Sequence, residues 1–173
     1  MFLRKRILIV TPILWLGFVL SISFMEAWLK FQAEGVTQPI ALSIGKLVFG
    51  VLNKVELFFF LIILIVSYNE NWQVVKRTKQ YVLLSLAAAL LLQTFYLLPI
   101  LDERAVMIIN GEEPLGSYFH FYYILLEIFK VILLIILINK TLSLDFLLRS
   151  KLDLSSNAII DLKHDENVRS KVV

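Results

Sequence analysis

Four apolar stretches of about 20 residues each constrain this chain most, at 7–25, 47–68, 81–101 and 118–138. About 20 residues at 1.5 Å per residue cross a hydrocarbon core of roughly 30 Å. Inside lipid, only a helix satisfies the backbone of an isolated segment. The stretches therefore predict spans at about 7–29, 43–68, 80–101 and 118–139. The fold class expected is all-α, an integral membrane antiparallel four-helix bundle with short connections. Composition agrees, since hydrophobic residues make up 59% of the 173 and the mean hydropathy is +0.81. Soluble domains hold roughly 45–50% apolar residues, and a chain this apolar has no interior large enough to hide its surface from water.

Basic residues orient the spans. Arg4, Lys5 and Arg6 precede the first, Lys76, Arg77 and Lys79 follow the second, and Lys140, Arg149, Lys151, Lys163, Arg169 and Lys171 follow the fourth. These are twelve of the 17 Lys and Arg, all on one side of a four-span topology. The connection 102–117 is acidic, with Asp102, Glu103, Glu112 and Glu113. The expectation is both termini in the cytoplasm, in a bacterial inner membrane. The first span has the basic start and apolar run of a signal peptide. Its length and the lack of a small-x-small site predict that it is retained. One membrane domain, 1–140, is expected, followed by a cytoplasmic tail, 141–173, that starts as a short interfacial helix.

Several chemistries are excluded or unsupported. The chain has no cysteine, which removes disulfides and thiolate metal sites. The net charge of +3 is small and does not suggest nucleic-acid binding. No P-loop, His-Glu-x-x-His, Gly-x-Ser-x-Gly or dinucleotide fingerprint is present, so an enzyme finds no support. Neither a cofactor nor a metal is called for.

Ionisable and amide residues concentrate at one level of the spans. Each charge near a bilayer centre costs at least about 2.5–3.5 kcal/mol, so such residues face protein or water. Glu26 and Lys30 share a face at the end of the first helix. The second begins with Lys46, Asn53, Lys54 and Glu56, and the third carries Gln93, Thr94, Tyr96, Asp102 and Arg104. His120, Tyr123, Glu127 and Lys130, spaced 3, 4 and 3, form one stripe on the fourth. All fall in the outer half or near the midplane, whereas 57–66, 81–92 and 131–138 hold no charge. Trp15 is expected at bundle depth, and Gly17, Gly45 and Gly50 at close helix contacts.

Two resemblances add to this. The segments Trp15-Leu16-Gly17, Glu26-Ala27-Trp28-Leu29-Lys30-Phe31, Gly45-Lys46-Leu47-Val48-Phe49 with Asn53 and Glu56, and Leu101-Asp102-Glu103-Arg104-Ala105 resemble uncharacterised small four-span bacterial membrane protein families. Tyr123, Glu127 and Lys130 belong to the same likeness. The architecture is also similar to copper-resistance D-type membrane proteins. The resemblance implies fold and location and brings no activity. Without cysteine, and with a single membrane histidine, it does not extend to a copper site.

The expected function is to bind or move a small polar or ionic solute through an outward-facing polar pocket. Glu56, Glu127 and Lys130 would form its deep end, either carboxylate being a candidate for proton coupling. Glu26, Lys30, Asp102, Arg104, His120 and Tyr123 would line its mouth, and Asn53 and Gln93 belong to the same polar site. The first alternative is a structural or accessory subunit that meets another membrane protein or a second copy, its buried charges acting as helix-pairing glue. The second is a haem- or quinone-linked redox subunit, with Met25 or Met107 completing a haem site begun by His120. The remaining expected partner is the lipid bilayer.

Overall fold

The apolar runs become helices, through Pro12 in the first and Pro99 in the third, and their ends are set by local chemistry. A computed structural model describes residues 2–68, 77–112, 114, 116 and 118–143. Four helices in it are long and apolar enough to cross a membrane: α1 (Leu3–Gln32), α2 (Gln38–Tyr68), α3 (Arg77–Ile109) and α4 (Phe119–Ser143). They run past the apolar stretches because polar flanks such as Gln38 and Arg77 continue the helical backbone. The interfacial helix expected in the tail lies, from residue 144 onward, outside the described residues.

The helix ends near the candidate site have clear causes. The Thr37 carbonyl accepts the first bond of α2, from the Ala41 N–H at 2.9 Å, and Pro39 sits in the first turn, where its missing N–H costs nothing. At the end of α3, Gly111 takes φ +84°, a conformation a side chain would resist. Its N–H bonds the Ile108 carbonyl at 3.1 Å and the next, Glu112, bonds Met107 at 2.9 Å, the double bond of a glycine-terminated helix.

Two helices change pitch partway. α1 widens to π-helix over Leu20–Glu26, and α3 does so over Gln93–Leu97. For α3 the cause is Pro99, whose missing N–H leaves the preceding turn without an ordinary bond; Leu98 instead bonds five residues back to the Gln93 carbonyl. A wide turn absorbs about one residue per passage, so positions four apart stay on one face. Trp15, Val19, Ser23 and Ala27 therefore face inward along α1, and Gln93, Leu97, Leu101 and Ala105 along α3.

Cross-helix contacts fix the topology. Trp15 meets Glu56, Asn53 meets Thr94, Gln93 meets Glu127 and Lys130 meets Glu56. Each helix is thus antiparallel to the one before it. The chain starts at the end of the bundle where α2 ends and α3 begins, and the 33–37 connection and the Gly111 end of α3 lie at the other. At the first end Leu8, Trp15, Val19, Ile63, Leu86 and Leu134 are buried together, and Thr11, Ser67 and Lys79, from the same ends of their helices, are buried too. The outer faces are apolar: Leu47, Leu61, Leu84, Phe95 and Phe121 are exposed. Such a surface suits a helical membrane bundle, since large exposed apolar patches are otherwise interaction sites.

Candidate functional site

Apart from those toward the end where the chain starts, such as Thr11, Ser67 and Lys79, the inward-facing polar residues separate into two storeys, one sealed and one hollow. In the sealed storey, Lys130 on α4 donates hydrogen bonds to Glu56 Oε1 on α2 and, at 3.0 Å, to Glu127 Oε1 one turn before it. Trp15 Nε1 on α1 donates to the same Glu56 oxygen at 2.9 Å. Gln93 Nε2 on α3 donates to Glu127 Oε1 at 3.0 Å. Every helix supplies a member, and all five side chains are buried. Glu56 Oε2, Glu127 Oε2 and Gln93 Oε1 receive no hydrogen bond from the described residues. The storey therefore keeps spare acceptors, and its one cation, Lys130, shares two of its three donors between the two carboxylates.

A smaller bridge lies beside it. Asn53 Nδ2 donates to Thr94 Oγ1 at 2.9 Å, and the hydroxyl donates back to Asn53 Oδ1 at 3.3 Å, tying α2 to α3.

The hollow storey lies toward the end that holds the 33–37 connection and the Gly111 end of α3. A cavity of about 300 Å³ collects one ionisable side chain from each helix: Lys30 from α1, Lys46 from α2, Asp102 from α3 and His120 from α4. Its remaining wall is apolar, including Leu42, Phe49, Leu98 and Leu101. Ala27, Phe49, His120 and Tyr123 also line a second cavity of about 30 Å³ whose floor includes Ser23 and Glu127. Phe49 and Tyr123 stack edge to face, ring centres 5.6 Å apart, and form the partition between the larger cavity and the small one that reaches Glu127. Tyr123 is buried, while His120 keeps an exposed edge.

Lys30 is the unusual lysine here. Its side chain is only 8% exposed, yet its carboxylate partner is Glu26 on its own helix, at 3.3 Å. Its ammonium also lies 5.0 Å from the centre of the Phe49 ring, a cation–π contact. Gly45 makes the placement work: a Cβ there would stand 2.8 Å from Lys30 Nζ and 3.3 Å from Cε. Gly17 and Gly50, expected at close helix contacts, have open space around them, and Gly45 accommodates a lysine rather than a helix backbone.

The expected residues thus distribute plainly. Glu56, Gln93, Glu127 and Lys130 meet in the sealed storey; Asn53 forms its own bridge; Lys30, Asp102, His120 and Tyr123 line the cavity; Glu26 stands behind Lys30. Arg104 is half-buried and does not line the cavity, and Lys54 is exposed. Met25 is exposed and Met107 half-buried; neither lines the cavities that His120 reaches. Three contributors escaped the sequence reading: the Trp15 indole as a donor, Ser23 and Phe49. The repeat of four residues shared by 15-19-23-27 and 93-97-101-105 is the signal that reveals the inner faces, since an ordinary helix repeats at 3.6. Compared with family models, curated protein sequences and solved structures, the chain finds no match.

Proposed function

We propose that the chain is a multi-pass membrane protein of a bacterial inner membrane, both termini cytoplasmic, that binds a small solute in the cavity facing the outside. The observation that carries this reading is the cavity of about 300 Å³ into which each of the four helices places one ionisable side chain. Small-molecule sites are concave and mostly apolar, with a few convergent polar groups that orient the ligand. Bundle cores hold such sites between facing helices. The distribution of Lys and Arg supports the orientation, and the apolar outer faces support the bilayer as surroundings.

The sealed storey favours a supporting role for Glu56, Glu127 and Lys130 over direct contact with the solute. Their bonds run helix to helix, and the Phe49–Tyr123 partition stands between them and the larger cavity. Inward-turned charges also leave less for an accessory partner to pair with, which weighs against the scaffold reading.

The test is thermal stabilisation of the purified protein across panels of small anions, cations and neutral solutes, in parallel with Ala105→Trp. Ala105 is a buried wall residue of the cavity, and an indole there fills the space. A binding solute raises the midpoint by linkage. Stabilisation of the native protein that Ala105→Trp loses supports the reading. Equal stabilisation of both proteins places the solute elsewhere and sinks it.

A further inference from the structure

The chemical class of the solute can be read from the cavity's wall. Lys30 contributes a nearly buried ammonium with three donor positions. One goes to Glu26 at 3.3 Å, at the long end for a charged hydrogen bond, and the face of Phe49 takes up part of the charge. Among the described residues no further acceptor bonds it. Lys46, at the rim, makes no ion pair with the Asp102 carboxylate that shares the cavity. With Glu26 behind Lys30 and Asp102 in the wall, the two lysines are balanced in number by carboxylates, and around these charges the surface is largely aliphatic and aromatic, so the unused donors of Lys30 rather than an excess of charge set the preference.

An ammonium withdrawn from solvent with unused donors favours an acceptor that is itself charged, because charge-assisted bonds are about twice as strong as neutral ones. The apolar wall favours a ligand whose remainder is hydrocarbon. We infer that the cavity binds an amphipathic anion: a carboxylate or similar head on Lys30 and a compact apolar body against Phe49, Leu98 and Leu101. The inference rests on the cavity reading above and names its ligand. Gly45 acts as a positioning residue, because any larger residue there displaces the Lys30 ammonium.

The probe is 4-fluorobenzoate, followed by fluorine NMR with the full chain in nanodiscs of zwitterionic lipid. Neutral 4-fluorobenzyl alcohol and cationic 4-fluorobenzylamine serve as its controls. Saturable binding of the benzoate is expected, at least about tenfold tighter than either control, a difference of about 1.4 kcal/mol. Lys30→Met should abolish the preference for the anion while leaving alcohol binding unchanged. Gly45→Ala should weaken benzoate binding in a protein that keeps its thermal midpoint within a few degrees. If the alcohol or the amine binds as well as the benzoate, the anion class is overturned and the cavity reading stands. If none of the three binds, both fall. Repeating the titration with an acidic phospholipid in the disc separates the sources. Displacement of benzoate assigns the anion to the bilayer, and undiminished binding assigns it to the aqueous side.

Discussion

Two lysines withdrawn from solvent show how differently the same side chain can be held. Lys130, fully buried, bonds carboxylates on two helices, one of which is also held by Trp15 on a third. Lys30, with 8% of its side chain exposed, bonds one carboxylate a single turn away on its own helix. A local pair holds no helix to another, whereas the Lys130 cluster ties all four together. The first arrangement stabilises a particular bundle register. The second leaves a charge that an incoming ligand can share. If the comparison is sound, the two lysines should respond in opposite ways to removal.

The largest effect is expected from Lys130→Met. Removing one partner of a buried ion pair typically costs about 3–5 kcal/mol, because the remaining charge is left buried and unpaired. Two carboxylates would then face each other, so the folded fraction in denaturant titration should collapse. Neutralising both of them as well, with Glu56→Gln and Glu127→Gln in the same chain, should recover most of the stability. A single Lys130→Met protein as stable as the native one would dissolve the distinction between the storeys.

A smaller loss, about 1–3 kcal/mol, is expected from Trp15→Phe, which keeps an aromatic ring and removes the donor at 2.9 Å from Glu56. Trp15 also packs in the apolar core beside Val19 and Ile63, and phenyl is smaller than indole, so the loss combines the hydrogen bond with a packing contribution. Trp15→Phe that unfolds at the native midpoint would mean that Lys130 alone satisfies Glu56. Lys30→Met should come next, below about 1 kcal/mol in stability, since local helix pairs contribute a few tenths. Its effect should fall on ligand binding instead. A stability loss equal to that of Lys130→Met would show that Lys30 is structural too.

What the sequence made legible divides along the same line. The four long apolar helices were plain, because a run of about 20 apolar residues has few alternatives. The meeting of Glu127 with Lys130 followed from spacing, and so did their placement on the stripe with His120 and Tyr123. Spacing within a helix cannot say which neighbour a side chain meets. Glu56 was as well placed for Lys54, next to it but one, as for Lys130, and the structure turns Lys54 outward. The wide turns were harder still. Gln93 and Leu97 stay on the inner face with Ala105 only because α3 under-winds ahead of Pro99, and the proline was the visible cause. The partition of Phe49 and Tyr123 depends on two helices at once, and no single helical pattern encodes it.

The smallest expected effect separates two glycines on α2 that the sequence treats alike. Gly50 has nothing within 4 Å of where a Cβ would stand, and Gly45 has the Lys30 ammonium at 2.8 Å. In a helix interior, glycine costs roughly 0.5–1 kcal/mol relative to alanine. Gly50→Ala should therefore stabilise the protein by up to about 1 kcal/mol and leave the cavity's ligand affinity unchanged. Gly45→Ala gains the same backbone preference but must push aside a flexible side-chain end, so its net effect on the midpoint should be close to zero. The displaced ammonium would leave its place over Phe49, and the readout for this is the loss of benzoate affinity. Thermal midpoints and benzoate titrations on the two variants side by side therefore decide whether the room at Gly45 serves the helix or the lysine. Equal affinities in Gly45→Ala and Gly50→Ala would assign Gly45 to the helix alone and leave Lys30 free to bind from another position.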